Sequence, residues 1–421
     1  MNQQLIQSIK DYAIPLRTAN DYDFLLNTVN EQSLVLLGES SHGTSEYYKE
    51  RAEISKKLIT EKGFTFLAVE GDWPACQKVN RYIKGFNDKF KDAREVLKSF
   101  NRWPTWMWAN EEMIELIEWL KEHNMKQPKE KQVGFYGIDI YSLWESMDEI
   151  ISYLEKTNSS LVEEAKQTFS CFDPFNRKPE KYGISAAFYS EGCHEEVTKL
   201  LTEISLNKHT FKDNEESSLN IEINALITSN AENYYRTMVL DDNQSWNIRD
   251  QHMVEVIHKI EQFHGEKAKG IVWEHNTHVG DARATDMANQ GVVNVGQLLR
   301  EQKGNNKVLI VGFGTHRGTV IAADQWGVNL ENMITPPAQE GSWEDAMHKA
   351  GPSNKLLLFT QENRNLFSQP IGHRAIGVVY NPQYEQYGNY VPSVMSDRYD
   401  AFVYINNSKS LQPLDVKEVF L

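Results

Sequence analysis

Unbroken apolar runs that end in polar, glycine-containing turns recur along this chain. The first, Leu34–Leu37, leads into Gly38-Glu-Ser-Ser-His-Gly43. An apolar run without alternation is typical of a strand that is covered on both faces of a parallel sheet. The pattern therefore predicts a buried strand that carries Glu39 and His42 at its carboxyl end, where open α/β sheets bind their ligands.

Similar runs alternate with helix-period segments over most of the chain. Residues 45–62 and 110–123 have the apolar stripe of amphipathic helices, and Pro74 suits the first turn of another. This alternation predicts a single α/β domain over residues 1–421, with a largely parallel sheet and flanking helices. Further strands are expected at residues 64–70, 133–140, 270–273, 308–313, 355–359, 374–380 and 399–405.

Between residues 141 and 265 the strand-like runs disappear, and long polar segments with helical periodicity replace them. We therefore expect a helical insertion at 141–265. Such an insertion commonly forms a lid or a wall that selects the substrate. A passive packing layer is the alternative.

The pattern around His42 occurs a second time, as Val308-Leu-Ile-Val-Gly-Phe-Gly-Thr-His-Arg-Gly-Thr319. In both segments an apolar run is followed by a glycine and, four residues later, by a histidine. The repeat predicts two pseudo-repeated halves that contribute His42 and His316 to one site. Chance is the alternative, because apolar-then-glycine is common at α/β strand ends.

Acids and histidines are concentrated at four predicted strand ends. They are Glu39, His42, Glu70, Asp72, Glu274, His275, His278 and His316. A carboxylate beside an imidazole fixes the tautomer of the ring and raises its basicity, as a general base requires. Neighbouring carboxylates raise each other's pKa, so one of them, such as Glu70, could stay protonated as an acid.

Several of these residues also have a purely structural interpretation. Asp72 could cap a helix, Glu274 could pair with Arg283 or Arg317, and His278 could be a hydrogen-bonded core histidine. Burying so many ionisable groups without a use would be costly, so the set as a whole favours a functional site.

Two further features could belong to this site. Arg51 lies two turns into the helix after His42, where it could orient a carboxylate or hold a substrate oxygen, unless it lies at the surface. A group of tryptophans could line an apolar cleft for a bulky or glycosylated ligand, or could pack in the core. These are Trp73, Trp103, Trp106 and Trp108.

The composition narrows the classes of partner. Lys and Arg total 44 against 59 Asp and Glu, which gives a formal charge of −15. A protein that binds nucleic acids or anionic membranes needs a basic face, so this charge argues against both partners. No segment approaches membrane-spanning length. With nucleic acids and membranes disfavoured as partners, we expect a small-molecule substrate. The oligomeric state stays open. The three scattered cysteines, Cys76, Cys171 and Cys193, predict reduced thiols in a cytoplasmic protein.

Cofactor and nucleophile motifs are absent from the sequence. There is no Gly-x-Gly-x-x-Gly or Gly-Lys-Ser/Thr loop for a nucleotide, and no Gly-x-Ser-x-Gly elbow, so Ser40 and Ser41 are predicted turn residues. His275-x-x-His278 has a usable spacing for a divalent ion, but in a loop this signal is weak. We therefore expect neither a required metal nor another cofactor.

Taken together, the motifs resemble those of the erythromycin esterase family. The resemblance rests on Gly38-Glu-Ser-Ser-His-Gly43, Val69-Glu-Gly-Asp-Trp-Pro74, Trp273-Glu-His-Asn-Thr-His278 and Arg374-Ala-Ile-Gly-Val-Val-Tyr-Asn-Pro382, in the family's order. It implies an α/β fold shared with ChaN-like and TIKI-like proteins, and metal-independent hydrolysis of a macrolactone ester. Many relatives carry a label tied to succinoglycan biosynthesis, so the resemblance alone does not imply a macrolide substrate.

Carried onto this sequence, the resemblance implies that His42 is the general base and that Glu39 supports it. Glu70, His275 and Arg51 would complete the catalytic centre. Asp72 and His278 also match family motif positions and are assigned to substrate binding. His316, from the internal repeat, and Trp73 and Trp106, from the group of tryptophans, are assigned to substrate binding independently of the resemblance.

Three other functions are compatible with the same residues. With a divalent metal the site would be that of a metal-assisted hydrolase, as in TIKI-like relatives. In a non-catalytic protein, the acids and histidines would contact a sugar-bearing ligand or haem. The third alternative is a glycosidase that uses two carboxylates.

Overall fold

The computed structural model describes residues 3–86, 89–189, 192–207 and 216–417. Its strands are β1 (Ile14–Pro15), β2 (Leu34–Leu37), β3 (Phe66–Asp72), β4 (Gly134–Asp139), β5 (Gly270–Trp273), β6 (Val308–Ala322), β7 (Glu331–Thr335), β8 (Lys355–Leu358), β9 (Pro370–Arg374), β10 (Tyr390–Val394) and β11 (Ala401–Ser408). Its α-helices are α1 (Gln3–Tyr12), α2 (Asp23–Leu26), α3 (Ser45–Lys62), α4 (Trp73–Ile83), α5 (Ala93–Leu97), α6 (Glu111–Met125), α7 (Leu143–Lys156), α8 (Val162–Phe169), α9 (Pro179–Tyr189), α10 (His194–Asn207), α11 (Ser217–Met238), α12 (Asp242–His264), α13 (Asn276–Val279), α14 (Val295–Lys303), α15 (Trp343–Lys349), α16 (Glu385–Gly388) and α17 (Met395–Arg398).

One mixed sheet organises the fold, with the strand order β1-β8-β11-β6-β2-β5-β3-β4. The six strands from β11 to β4 are parallel, whereas β8, β1 and β7 run antiparallel to their neighbours. The prediction of an α/β fold with a largely parallel sheet is confirmed. The two strands of the repeated motif, β2 and β6, are adjacent, with Leu34 aligned to Val308.

The apolar runs are unbroken because helices cover both faces of the sheet. On β2, Leu34 and Leu36 belong to one apolar cluster, and Val35 and Leu37 belong to the other. Helices α3 and α6 pack on the second cluster, where Leu58 of α3 lies. Burial on both sides therefore holds the strand ends, and the loops that follow them, in fixed positions.

The predicted insertion at 141–265 contains the helices α7–α12, which pack on the opposite face of the sheet. Ile150 of α7, Ile223 of α11 and Ile257 of α12 join the same apolar cluster as Leu34 of β2. The segment therefore forms one of the two helical layers, and its movement as a lid stays a prediction. Within the described ranges, no helix is both long and apolar enough to cross a bilayer.

Two strand predictions were inaccurate. Strand β6 continues to Ala322, nine residues beyond the expected end, because its polar second half pairs with β7 and β11. The strand expected at 374–380 is wrong, since β9 ends at Arg374. Beyond it, the N–H of Ile376 donates to the carbonyl of Ser40 at 2.8 Å, so this segment crosses the strand ends.

The prediction of three reduced thiols is also wrong. Cys171 and Cys193 form a disulfide, whereas Cys76 is free and buried. The turn after α8 and the start of α10 lie side by side, which places the two Cα atoms 5.9 Å apart, a separation that suits a disulfide. This proximity arises from packing within the insertion, which the spacing of the cysteines does not reveal.

Candidate active site

A cavity of ≈ 280 Å³ opens at the carboxyl ends of the central strands. The strand ends supply four of its ionisable groups, His42, Glu70, Asp72 and Asp139. Residues 99–104 and the helix α7 form the walls, and Arg249 of α12 reaches in from the insertion. The cavity therefore lies where the sheet, its loops and the insertion meet.

His42 is held in place by a chain of two buried charged residues. Its Nδ1 lies 3.0 Å from Oε1 of Glu39, and Oε2 of Glu39 accepts a hydrogen bond from Arg51 at 2.5 Å. The Arg51 guanidinium lies over the rings of Tyr48 and Trp273, 4.7 and 4.5 Å from their centroids. Arg51 is fully buried and does not line the cavity, so it acts on His42 through Glu39.

The surroundings of His42 favour a basic ring. Burial alone would lower its pKa, but the negative charge of Glu70 and the hydrogen bond and charge of Glu39 outweigh burial and raise it. Because Nδ1 is occupied by Glu39, Nε2 is the ring nitrogen that remains to accept a proton. His42 lines the cavity, so this nitrogen is available to a molecule bound there.

His275 presents a hydrogen-bond donor beside this base. Its Nδ1 accepts from the backbone N–H of Thr277 at 3.3 Å, which assigns the proton of the neutral ring to Nε2. Burial and the nearby charge of His42 lower the pKa of His275 well below its usual value, so the ring stays neutral. Nε2 is buried without a hydrogen bond of good geometry in the described part of the chain, although the backbone of Ser40 lies close enough to the ring to oppose the lowering of its pKa. The centroids of the His275 and His42 rings are 4.9 Å apart.

Glu70 is ionised in this arrangement, contrary to the prediction that it could stay protonated as an acid. Burial raises its pKa, but His278, His42, Arg249 and a backbone N–H together lower it far below its usual value. The N–H is that of His275, which donates to Oε2 at 2.8 Å. The guanidinium and the amide donate to this carboxylate directly, and the two histidines add to its stabilisation when they are protonated.

Arg249 links two acids and a histidine that come from three different elements. It donates to both carboxylate oxygens of Asp139 at 2.8 and 2.9 Å, to Glu70 at 2.7 Å, and to Nε2 of His278 at 3.0 Å. The other nitrogen of His278 lies 2.9 Å from Asp250, the residue after Arg249. Helix α12 of the insertion therefore supplies two charged residues to the centre.

Tryptophans form the apolar wall of the cavity. The rings of Trp103 and Trp326 are in contact, with centroids 4.5 Å apart, and Trp326 is 61% exposed. Trp108 donates to the backbone carbonyl of Glu70 at 2.9 Å. These rings give the cavity a broad apolar surface next to its charged floor.

In the ranges that the structure describes, no group of three or more His, Cys, Asp or Glu side chains is arranged to hold a metal ion. The ring nitrogens of His278 and the Nδ1 atoms of His42 and His275 already have protein hydrogen-bond partners.

The family model of erythromycin esterase matches residues 59–408 of this chain. The chain belongs to the erythromycin esterase family. It is 21% identical over 429 residues to a putative hydrolase of Bacillus subtilis (strain 168), YbfO, with 95% of this chain and 90% of the relative covered. It is 23% identical over 399 residues to erythromycin esterase type II of Escherichia coli, with 86% and 90% covered. Membership of this family and these relatives support a hydrolase.

A crystal structure of a Bacillus cereus protein has the same fold as this member of the erythromycin esterase family. The TM-score is 0.82 at 21% identity, and the superposition covers 99% of this chain and 100% of the other. At this identity the likeness shows the fold alone.

Five residues predicted to be catalytic in this family member come together in the structure. Glu39, His42, Glu70, His275 and Arg51 are connected by the contacts described above, but only His42 and Glu70 line the cavity, whereas Glu39, His275 and Arg51 do not. Asp72 lines the cavity and forms a bidentate ion pair with Arg102, and His278 lies behind Glu70.

The structure places three predicted substrate-binding residues away from the cavity. The ring of His316 stacks on that of His348, 3.8 Å apart, because this histidine is still inside strand β6, whereas His42 follows the end of β2. Trp73 donates to Asn220, and Trp106 is fully buried in an apolar cluster. None of the three lines the cavity.

Sequence reasoning missed Arg249 and Asp250. Both lie in the segment that was expected to be a separate insertion. A signal was available, since Asp250 continues the apolar stripe of Met253, Ile257 and Ile260 toward the start of α12. A charged pair on a buried stripe indicates that these charges have partners elsewhere in the fold.

Proposed function

We propose that this protein is a carboxylic ester hydrolase in which His42 activates water without a metal. The observation that carries the proposal is the position of His42 at the cavity, with Nδ1 fixed by Glu39 and Arg51 behind that carboxylate. A carboxylate-oriented imidazole with its second nitrogen facing a bound molecule is the arrangement of a general base.

The reaction follows from the positions of these groups. Nε2 of His42 takes a proton from water, and the hydroxide attacks the ester carbonyl. The Nε2–H of His275, buried beside His42 with the ring centroids 4.9 Å apart, is the donor that we assign to the oxyanion. Because His275 does not line the cavity, the carbonyl oxygen has to pass beyond the cavity surface to reach it. As the carbon–oxygen bond to the alcohol breaks, protonated His42 returns its proton to the leaving alkoxide, because ionised Glu70 has no proton to give.

The cavity favours a bulky ester, such as a macrolactone. Trp103, Trp108 and Trp326 provide an apolar wall for a large acyl or alcohol portion. A relative that shares 23% of its residues is an erythromycin esterase, which acts on a substrate of this kind. A small-molecule substrate is therefore the expected partner.

The test compares His42→Asn with the wild type on a simple aryl ester and on a macrolide. We expect a loss of about 10²–10⁴-fold in kcat for whichever ester the wild type cleaves. His123→Asn, a histidine on α6 outside the cavity, is the matched control. Undiminished turnover by His42→Asn would exclude His42 as the base, and loss of wild-type activity on chelation, restored by one metal, would favour a metal-assisted hydrolase instead.

A further inference from the structure

Glu274, the residue before His275, is a fully buried carboxyl group, and neither of its oxygens has a hydrogen-bond partner in the ranges that the structure describes. The arginines suggested by the sequence are engaged elsewhere. Arg283 donates to Asp281, and Arg317 donates to Asn407. A buried carboxylate with neither a cation nor a donor would be strongly disfavoured.

The register of the sheet places Glu274 beside Glu70. Val69 of β3 aligns with Trp273 of β5, and both side chains belong to the same apolar cluster. The next residue on each strand therefore points to the opposite face, toward α12. Two carboxyl groups thus occupy neighbouring positions on one face, where two negative charges repel each other.

The surrounding charges are divided unequally between these two carboxyl groups. Glu70 receives hydrogen bonds from Arg249 and from the N–H of His275. Arg249 also donates hydrogen bonds to Asp139 of β4 and to His278, and it makes none to Glu274. Glu70 therefore has a cation and a donor, and Glu274 has neither.

Arg249 of α12 is the positive charge that acts on Glu274 in the described ranges, and its hydrogen bonds go to Glu70, Asp139 and His278 instead. Helix α12 presents Asp250, which is bonded to His278, and the neighbouring position on β2 is Gly38. Burial is the main cause that raises the pKa of Glu274 well above its usual value, and the charges of Glu70 and Asp250 add to it, while Arg249 opposes them.

We propose that Glu274 is a positioning residue, held as a neutral carboxylic acid beside Glu70, so that the two groups together carry one negative charge. A second charge at this place would compete for Arg249 and draw it away from Glu70 and His278. The consequence for catalysis rests on the proposed ester hydrolysis. The protonation itself does not, and can be measured in a protein that cleaves nothing.

The first test measures stability against pH for the wild type and Glu274→Gln. Above the unfolded pKa, this carboxyl group is ionised in the unfolded chain but still protonated in the folded protein. The ratio of folded to unfolded molecules therefore falls about tenfold for each pH unit in this range. Glu274→Gln removes this dependence, so its stability relative to the wild type should rise as the pH rises from 5 to 8. A constant or falling difference would overturn the proposal.

Glu70→Gln is the matched control, since it changes the neighbouring carboxyl group in the same way. The pKa of Glu70 is lowered in the folded state, so its charge stabilises the protein above the unfolded pKa, and this contribution disappears as the pH falls. Glu70→Gln should therefore be less stable than the wild type at pH 7, and its deficit should shrink only as the pH falls below the unfolded pKa of about 4.5 toward the much lower folded pKa. The two substitutions are therefore expected to change the free energy of unfolding at pH 7 in opposite directions.

An infrared difference spectrum between the wild type and Glu274→Gln gives a direct readout. The carbonyl stretch of a protonated carboxylic acid should be present in the wild type at pH 7 and missing from the variant. If Glu274→Gln does not fold, Glu274→Met removes the same ionisable group at similar length. Absence of the band from the wild type would overturn the proposal, whatever the activity of the enzyme.

Discussion

Oε2 of Glu39 accepts a hydrogen bond from Arg51 at 2.5 Å, while the other oxygen of the same carboxylate contacts His42. The arginine therefore fixes the orientation of the base without touching the cavity. It also makes the buried Glu39 charge tolerable, since a carboxylate at this depth needs a cation. Five measurable consequences follow from this and the other contacts described above.

Arg51→Met should reduce both stability and activity. It leaves Glu39 buried without its cation, which costs about 3–5 kcal/mol in the free energy of unfolding. Because His42 remains, the loss in kcat should be smaller than that of His42→Asn. Arg51→Lys keeps the charge but lacks the planar group that stacks on Trp273. Its stability and activity should therefore lie between those of the wild type and those of Arg51→Met. Urea unfolding and ester turnover measure these effects, and a stable, fully active Arg51→Met would contradict the assigned role.

The pH profile should report the raised pKa of His42. The base must be neutral to act, so kcat/KM should rise with pH through a value above the ordinary histidine pKa of about 6.5. Glu39→Gln removes a negative charge and should move this limb to lower pH. If kcat/KM of Glu39→Gln rises at the same pH as that of the wild type, the rise reports the pKa of another group.

The same raised pKa predicts how stability depends on pH. Protonated His42 stabilises the folded state fully below the unfolded pKa, and this contribution is lost as the pH rises through the folded pKa. The enzyme should thus lose some stability over the range in which it gains activity. His42→Asn should lack this component of the slope in thermal unfolding, with His123→Asn as the control.

Trp326 should affect the size of the substrate that is accepted. It is exposed and its ring contacts that of Trp103 at an angle, so Trp326→Ala removes part of the wall with little effect on folding. We expect KM for a bulky ester to rise about two- to tenfold, as for the loss of one aromatic contact, with kcat on a small aryl ester unchanged. Trp119→Ala, on α6 outside the cavity, is the control. Equal effects on both esters would remove Trp326 from substrate selection.

The disulfide should stabilise the insertion. Its cysteines are 22 residues apart, and closing a loop of this size is worth about 3 kcal/mol. Reductant should lower the Tm of the wild type but not that of a Cys171→Ser/Cys193→Ser variant. A thiol titration that finds three free cysteines in the untreated protein would show that the bond does not form.

The sheet and the centre of the site could be predicted because their signals are local. Leu34–Leu37 is unbroken because both faces of β2 are covered, and Glu39 and His42 follow it directly in sequence. Glu70 and His275 come after comparable runs, and parallel strands bring such residues to one edge. The pattern of apolar runs followed by polar residues was therefore enough to predict that Glu39, His42, Glu70 and His275 lie close together.

The remaining features depend on contacts between distant segments. Arg249 meets Glu70 across 179 residues of sequence, and no periodicity encodes that pairing. His316 shares the local pattern of His42 but lies within a longer strand, so the same pattern has a different outcome. The protonation expected for Glu70 was wrong for a similar reason, since the groups that hold its charge come from other elements.

Helix α12 occupies a segment that interrupts the order of the strands, yet it carries the arginine of the catalytic centre. A graft that exchanged 141–265 for a foreign helical module would have to bring its own counterparts of Arg249 and Asp250. Without them, Glu70 and His278 would each lose a charged partner. In this chain, the segment that forms part of the cavity wall also holds charged groups of the site, so a change in one constrains the other.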